Sequence, residues 1–567
     1  MYTTTVETDL EATMRDGTVL RADVYRPDVD GTFPIILERT PYDKSRDQYR
    51  DKGPKLAERG FLFVVQDVRG RYRSDGEFMP GFYSSDHMDD VDGYDTVEWA
   101  ATLPWTTGAV GTTGGSYNGW TQLELAHMQP PHLKAIMPQL ICANLLDREK
   151  SGVLRLGRVL WWSINTLAPD QRVRDDVPIG SRTQDEAEEF FVSRDRSKWY
   201  WYLPLRDIPD DTMHGIGRHW RKWLDDHATD HFGFEAKHRY MDVPTLTQTG
   251  WYDQQIMAVK NFTGLKENAA TELARQNQYL IIGPWTHDAV EWPTKLGDID
   301  FGEDAHLDYF EITSQWYRRW LNDEVNAIAD WPKVRIFVMG DNKWRAEDDW
   351  PLARTRYTKY FLHSGGHADS ASGDGILSQE APGDEPTDEY VYDPRDSVMT
   401  LYTPSGQHEP LDQRALDERL DILRFSTPPL QRKVEVTGHI VVKLFAASTA
   451  RDTDFVAKLL DIWPNGYAQE LCYGIVRARY RDSFENPTLI EQGKVYEYDI
   501  EVNPTSNVFK PGHRIRLDIS SSDFPNFDRN HNTGGNDYVD ATLISARQTV
   551  SHDADRPSHV VLPIIPR

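Results

Sequence analysis

Cysteine is all but missing from this chain: only Cys142 and Cys472 occur in 567 residues, far apart in sequence. Two such residues supply neither a disulfide framework nor a metal-ligand cluster, so no stapled secreted fold and no metal site are expected. Long apolar runs are lacking as well. No stretch approaches the roughly 20 residues of a membrane-spanning helix. The opening residues Met1-Tyr2-Thr3-Thr4-Thr5-Val6-Glu7 do not show the basic and then apolar parts of a signal peptide. A reducing cytoplasm is the expected compartment. Positive charge is scarce too, with 63 Lys and Arg against 90 Asp and Glu and a formal net charge of −27. That sign argues against nucleic acid or an anionic membrane surface as partner, because like charge repels phosphate. Its simplest meaning is solubility.

Length and aromatic residues are plentiful. A chain of 567 residues is too long for one core, and two or three domains are expected. Its 18 tryptophans and 26 tyrosines are mostly core material, so only those near reactive residues carry functional meaning.

Along residues 1–144, short apolar runs alternate with helical segments. Thr18–Tyr25 alternates like a half-buried strand, whereas Phe33–Glu38 and Phe61–Gln66 are continuous apolar runs suited to strands buried on both faces. Helical character around Lys55–Arg59 and Tyr94–Ala100 completes a βαβ rhythm, which predicts an α/β fold with a largely parallel sheet. Over residues 145–240 the rhythm stops, and a charged, aromatic, helical stretch predicts a cap inserted over the C-terminal edge of the sheet. Strands return in residues 241–354, at Thr245–Thr249 and Tyr279–Ile282. Over residues 355–567 a loop-rich passage leads into many alternating strands, such as Val434–Leu444 and Arg514–Ile519, and predicts a C-terminal β-sandwich.

The chemistry centres on Gly111-Thr112-Thr113-Gly114-Gly115-Ser116-Tyr117-Asn118-Gly119-Trp120. A strand turning sharply into a helix leaves little room for side chains, holds its apex residue in a strained conformation and throws that side chain clear. The free N–H groups of the helix then point at the same spot. Ser116 is therefore a candidate nucleophile. The α/β-hydrolase elbow usually carries glycine two residues after the serine, but here that position is Asn118 and glycine follows at Gly119. A Gly/Ser-rich loop would look the same, so partners decide. A serine nucleophile needs a histidine base and a carboxylate to orient it, in the chain order Ser, Asp, His. Asp253 follows the strand ending at Gly250, and His287 follows the strand ending at Gly283. Asp253 could equally be a helix N-cap. Asp288 competes as the orienting acid but ranks below Asp253, because adjacent side chains rarely meet in that geometry.

The chain resembles the Xaa-Pro dipeptidyl-peptidase-like hydrolases, the group that includes bacterial cocaine esterase, α-amino-acid ester hydrolases and glutaryl-cephalosporin acylases. The resemblance runs through Met14–Gly17, Ala22–Pro27, Arg39–Tyr42, Gln66–Arg71, Gly114–Gly119, Gly250–Asp253 and Gly283–His287. It continues through Thr453–Phe455 and Pro504–Leu517, which look like the family's C-terminal jelly-roll domain. In this family glycine at the third position after the serine is normal. The resemblance implies Ser116 as nucleophile, His287 as general base and acid, Asp253 as orienting carboxylate, and an oxyanion hole made by the Tyr42 hydroxyl and the Tyr117 amide. Asp67, Arg69 and Arg71 read as a structural ion-pair network bracing the sheet edge. Trp161, Trp162, Trp251 and Tyr252 are candidates for an apolar acyl pocket.

The expectation is a serine hydrolase of small-molecule esters or amides working through an acyl-enzyme, with no metal or other cofactor and no nucleic-acid or membrane partner. Monomer and homodimer both stay open. An Xaa-Pro dipeptidyl-peptidase or α-amino-acid ester hydrolase is the alternative. It would need carboxylates to receive a substrate ammonium, and no such cluster can be placed from the sequence. A non-catalytic binding protein using its β-sandwich is a more distant one.

Overall fold

The computed structural model describes residues 2–82, 84–150, 152–287, 293–402 and 409–566, with backbone only at 196 and 197. Its first part is a ten-stranded sheet built from β1 (Thr4–Thr13), β2 (Val19–Pro27), β3 (Phe33–Thr40), β4 (Leu62–Asp67), β5 (Thr106–Gly115), β6 (Leu133–Gln139), β7 (Thr245–Gly250) and β8 (Gln278–Gly283). Two short paired strands, β9 (Lys295–Leu296) and β10 (Ile299–Asp300), stand apart, and β11 (Val334–Val338) and β12 (Lys343–Glu347) complete the sheet. The order is β1-β2-β4-β3-β5-β6-β7-β8-β11-β12. From β4 through β11 every neighbouring pair is parallel, while β1, β2 and β12 run antiparallel at the two edges.

The apolar runs explain this order. β4, β7 and β8 are buried at every residue, as helices on both faces of a parallel sheet require. β2 is more buried than its alternating pattern predicts, because β1 and β4 flank it on both edges. The opening strand β1 was not legible as one, since its mostly half-exposed Thr/Glu/Asp side chains carry little apolar signal. Helices α1 (Asp47–Ala57), α2 (Asp89–Ala100) and α3 (Tyr117–Ala126) pack on the sheet, and α3 is buried along its whole length.

Between Leu145 and Tyr240 the described residues form short helices joined by turns and loops, from Leu145–Arg148 to the last short turn at His238–Tyr240. This insert lies between β6 and β7. Eleven strands from Arg356 to Ile565 form a second sheet in which strand Val434–Ser448 pairs with three neighbours, so the sheet branches and folds over itself as a β-sandwich. The sandwich docks on the end of β11, where Met339 N–H donates to Ser506 O at 3.0 Å and Val508 N–H to Met339 O at 2.9 Å. Among the described residues no helix is long and apolar enough to cross a membrane.

Glycine is required where α3 presses on β6. A Cβ on Gly119 would lie 2.6 Å from the Gln139 carbonyl oxygen and 3.0 Å from Ile141 Cγ2. The first obstacle is backbone and cannot swing aside. Gly119→Ala is expected to destabilise the protein by about 1–3 kcal/mol, the usual scale of overpacking. Urea unfolding measures this, and an unchanged midpoint would show that the helix can lift without cost.

Candidate active site

β5 delivers the chain to Ser116, whose backbone sits at φ 58° and ψ −124° at the start of α3. This is a sparsely populated conformation for a residue with a side chain, costing of order 1–3 kcal/mol. Surrounding bonds fix it: Ser116 N–H donates to Gln139 O at 3.0 Å, and Trp120 N–H donates back to Ser116 O at 2.8 Å. The hydroxyl is thereby held above the C-terminal edge of the parallel strands.

Two further loops bring partners to it. The chain leaves β7 through Gly250, where a Cβ would lie 2.2 Å from Trp285 O, and the turns after β7 and β8 are laced together by backbone bonds. Trp251 N–H donates to Gly283 O at 2.9 Å and Tyr252 N–H to Trp285 O at 3.0 Å. Asp253 and His287 therefore sit on one rigid unit. His287 Nδ1 lies 2.8 Å from Asp253 Oδ1 and His287 Nε2 lies 2.9 Å from Ser116 Oγ. Asp253 Oδ1 also accepts Gln255 N–H at 3.0 Å, so the aspartate caps the following turn while it holds the imidazole. With the carboxylate accepting at Nδ1–H, Nε2 is left free to accept the serine proton. Asp288 lies outside the described residues.

Tyr42 follows β3 on a separate loop. Its hydroxyl is within hydrogen-bonding reach of the Ser116 side chain and of the Tyr117 N–H, with the Trp162 side chain beside it. Burial raises the phenol above its ordinary pKa, so it remains a proton donor through the neutral range. The Tyr117 side chain faces the other way, donating from its hydroxyl to Asp89 Oδ2 at 2.8 Å.

The expected pocket residues separate into two groups. Trp162 stands at the site, packed on Phe82 at 5.3 Å and Tyr117 at 6.1 Å between ring centroids. Trp161 is half-buried beside it, with the Arg158 guanidinium 4.9 Å over its ring. Trp251 is corrected to a core residue: its indole N–H donates to Phe337 O at 2.7 Å and its ring packs on Trp350. Tyr252 is corrected likewise, since its hydroxyl accepts from Gln469 of the sandwich at 3.1 Å. Both follow a strand end closely, and the turn that aims Asp253 at His287 sends these rings under the loop.

The Asp67, Arg69 and Arg71 motif is not one ion-pair network. Arg69 turns outward to Asp92 and Asp16. Arg71 is fully buried, pairs with Asp170 at 3.4 Å and clamps three carbonyls, donating to Pro41 O at 3.0 Å, Leu167 O at 2.9 Å and Thr166 O at 3.0 Å. It ties the loop of Tyr42 to the helical insert. Both arginines are ion-paired as expected, but with separate partners and not with Asp67. Asp67 forms no salt bridge among the described residues and accepts backbone N–H groups of Lys44 and Arg73.

Sequence reasoning missed Phe82, whose ring packs on Trp162 and Tyr117, because nothing in the Gly- and Pro-broken run around it marks one aromatic over another. It also missed a cleft of about 520 Å³ between insert and sandwich, lined by Tyr200, Trp201, Met399, Tyr402, Phe524 and Pro525. A larger charged cleft of about 860 Å³ includes none of the residues assembled around Ser116.

An open parallel sheet with a serine at a strained strand-to-helix turn, capped by helices and followed by a β-sandwich, defines an α/β-hydrolase with an appended all-β domain. The X-Pro dipeptidyl-peptidase (S15 family) signature matches residues 16–289, and that of the X-Pro dipeptidyl-peptidase C-terminal non-catalytic domain matches residues 326–561. Cocaine esterase from Rhodococcus sp. is 37% identical over 99% of both chains. Among solved structures, an aminopeptidase from a Thaumarchaeota archaeon superposes with a TM-score of 0.84 at 25% identity, covering 100% of this chain and 97% of its own. An α-amino acid ester hydrolase superposes with a TM-score of 0.83 at 24% identity over 99% and 97%, a likeness of fold. The chain belongs to the X-Pro dipeptidyl-peptidase-like family of serine hydrolases that includes cocaine esterase.

Burial pushes the Asp67 carboxyl up to about 8, whereas the unfolded chain releases that proton near 3.8. Between those values the folded state binds more protons than the unfolded one, so this group makes stability fall as pH rises from about 4 to about 8. Asp67→Asn should remove that slope. The difference in unfolding free energy between wild type and variant, measured at pH 5 and pH 8, checks it. A constant difference would place the carboxyl as ionised throughout.

Proposed function

We propose that this chain hydrolyses carboxylic esters of small molecules through an acyl-enzyme on Ser116. The observation that carries the reading is the hydrogen-bonded series Asp253–His287–Ser116 at a strained turn, with a buried phenol and a helix N–H beside the serine oxygen. His287 Nε2 takes the Ser116 proton as Oγ attacks the carbonyl carbon. Asp253 holds the ring orientation and stabilises the imidazolium that forms. The negative charge that collects on the carbonyl oxygen is met by the Tyr42 hydroxyl and the Tyr117 N–H. His287 then protonates the leaving alkoxide, and the C–O bond breaks to leave the acyl group on Ser116. In the second half a water gives its proton to His287 and attacks the acyl carbon, and collapse of that intermediate returns the proton to Ser116 and releases the acid. No step uses a metal or cofactor.

Trp161 and Trp162, the latter packed on Phe82, supply an apolar aromatic wall beside the reacting carbonyl, which suits an apolar or aryl acyl group. We place the division of the chain at 1–144 and 241–354 for the hydrolase domain, 145–240 for the cap and 355–567 for the sandwich. The full-length likeness to an esterase supports ester over amide. The S15 signature over residues 16–289 supports Xaa-Pro dipeptide release as the second reading. The cytoplasm remains the proposed compartment.

Ser116→Ala is expected to abolish turnover of p-nitrophenyl esters and labelling by a fluorophosphonate. Tyr42→Phe should lower kcat roughly 100- to 1,000-fold, the usual loss for one oxyanion donor. A panel of short-chain and aryl esters, anilides and Xaa-Pro amides separates the two readings. Unchanged turnover in the Ser116 variant sinks both, and a wild type inert to esters and probe alike would revive a binding protein.

A further inference from the structure

Behind the elbow lies a buried polar cluster that the proposed reaction does not use. Asn118 stands two residues after Ser116, where the hydrolase motif usually carries glycine. Its Nδ2 donates to Glu38 Oε1 at 2.7 Å and to the Tyr49 hydroxyl at 3.0 Å. Lys52 Nζ donates to the other Glu38 oxygen at 2.8 Å, which holds that carboxylate as an acceptor. The Tyr49 hydroxyl shares a 2.7 Å hydrogen bond with Thr40 Oγ1, and Thr40 Oγ1 accepts the backbone N–H of Tyr42 at 3.1 Å. An unbroken series of hydrogen bonds thus runs from the first turn of α3 to the backbone of Tyr42. Asn118, Glu38, Tyr49 and Thr40 are all buried.

This arrangement is costly for the fold. Asn118 Oδ1 is buried without a hydrogen-bond partner among the described residues, a penalty that glycine or an apolar side chain would not carry. The pair also demands a glycine at position 114. There φ is +125°, and a Cβ would lie 2.6 Å from Asn118 Cβ and 2.8 Å from Glu38 Oε1. Local folding of the turn explains neither feature.

We propose that Asn118 is a positioning residue that fixes the two donors of the oxyanion hole relative to each other. The proposal rests on the reading of the Tyr42 hydroxyl and Tyr117 N–H as those donors. They sit on different elements, the loop after β3 and the N-terminus of α3, and nothing in the covalent chain sets their spacing. Donors stabilise a developing oxyanion only when both are aimed at it in advance. The Asn118 backbone follows directly on Tyr117, and its side chain reaches the Tyr42 loop through Tyr49 and Thr40. It touches no reacting atom and acts through the donors.

A double-mutant cycle tests this. Asn118→Leu is combined with Tyr42→Phe, and kcat, KM, the affinity for an aryl boronic acid and the thermal midpoint are measured. The tetrahedral boronate places an oxygen in the oxyanion hole, so it reports donor alignment apart from substrate binding. Asn118→Leu should lower kcat and boronate affinity together, by about tenfold or more, with KM within about twofold of wild type. In the Y42F background the same substitution should cost less than about twofold, because the donor it aligns is gone. Tyr49→Phe breaks the series at another link and should behave the same way, and it carries the test if the Asn118 variant does not fold. Equal losses in both backgrounds, or unchanged boronate affinity, overturn the proposal. Unchanged kcat and boronate affinity in Tyr42→Phe alone would instead remove the reading on which it rests.

Discussion

The structure hangs on one strained residue. Ser116 adopts a backbone conformation that a serine avoids, and it does so because it alone joins β5 to α3. The Gln139 carbonyl holds its N–H and the first turn of α3 holds its carbonyl. Relaxing it would cost those bonds and the contact of α3 with β6 at Gly119. The buried packing of α3 over its whole length thus offsets a local penalty of order 1–3 kcal/mol. The same turn aims the serine oxygen out of the sheet and the helix N–H groups beside it, so the strain and the reactive geometry share one cause.

Everything else at the site is brought to that point by chain segments distant in sequence. His287 and Asp253 arrive on neighbouring loops whose backbones bond to each other, so their spacing does not depend on side-chain packing alone. Tyr42 arrives on a third loop, held from below by Thr40 and from above by Arg71, which binds Pro41 O and the insert together. Arg71 donates to one carbonyl on the Tyr42 loop and to two on the insert, and so bridges them. The helical insert and the Tyr42 loop are therefore one mechanical unit.

How far this was legible in the sequence depends on the range of the interaction. The parallel sheet followed from continuous apolar runs, and Ser116, Asp253 and His287 followed from their positions just past strand ends, because those signals are local. Tyr42 needed a family resemblance, since a tyrosine after a strand has no reactive signature of its own. Trp251 and Tyr252 were misplaced because sequence gives proximity to Asp253 and not the direction a ring takes after a tight turn. Asp67 was read as an ion-pair partner from the arginines beside it. The structure sends those arginines elsewhere and leaves the carboxyl to backbone N–H groups. Phe82 was invisible for the same reason: its role is set by Trp162, eighty residues on.

The wall that would face a substrate depends on the far end of the chain. Trp162 sits at the end of helix Leu156–Trp161, and the start of that helix is pinned by Arg155 and Gly157. Arg155, fully buried, donates to the Tyr473 hydroxyl at 2.8 Å and to Asn526 Oδ1 at 2.7 Å, both in the sandwich. Gly157 N–H donates to Pro525 O at 2.6 Å, and a Cβ there would lie 2.7 Å from the same oxygen. Both Arg155 bonds to the sandwich come from Nη1, while its Nε donates to Arg148 O at 3.0 Å within the insert, so one buried side chain ties the start of the helix to the sandwich. The C-terminal domain contributes no member of the Asp–His–Ser series. It nevertheless holds the helix that carries Trp161 and Trp162, so on the proposed reading the sandwich sets the place of the aromatic wall without touching the reacting atoms.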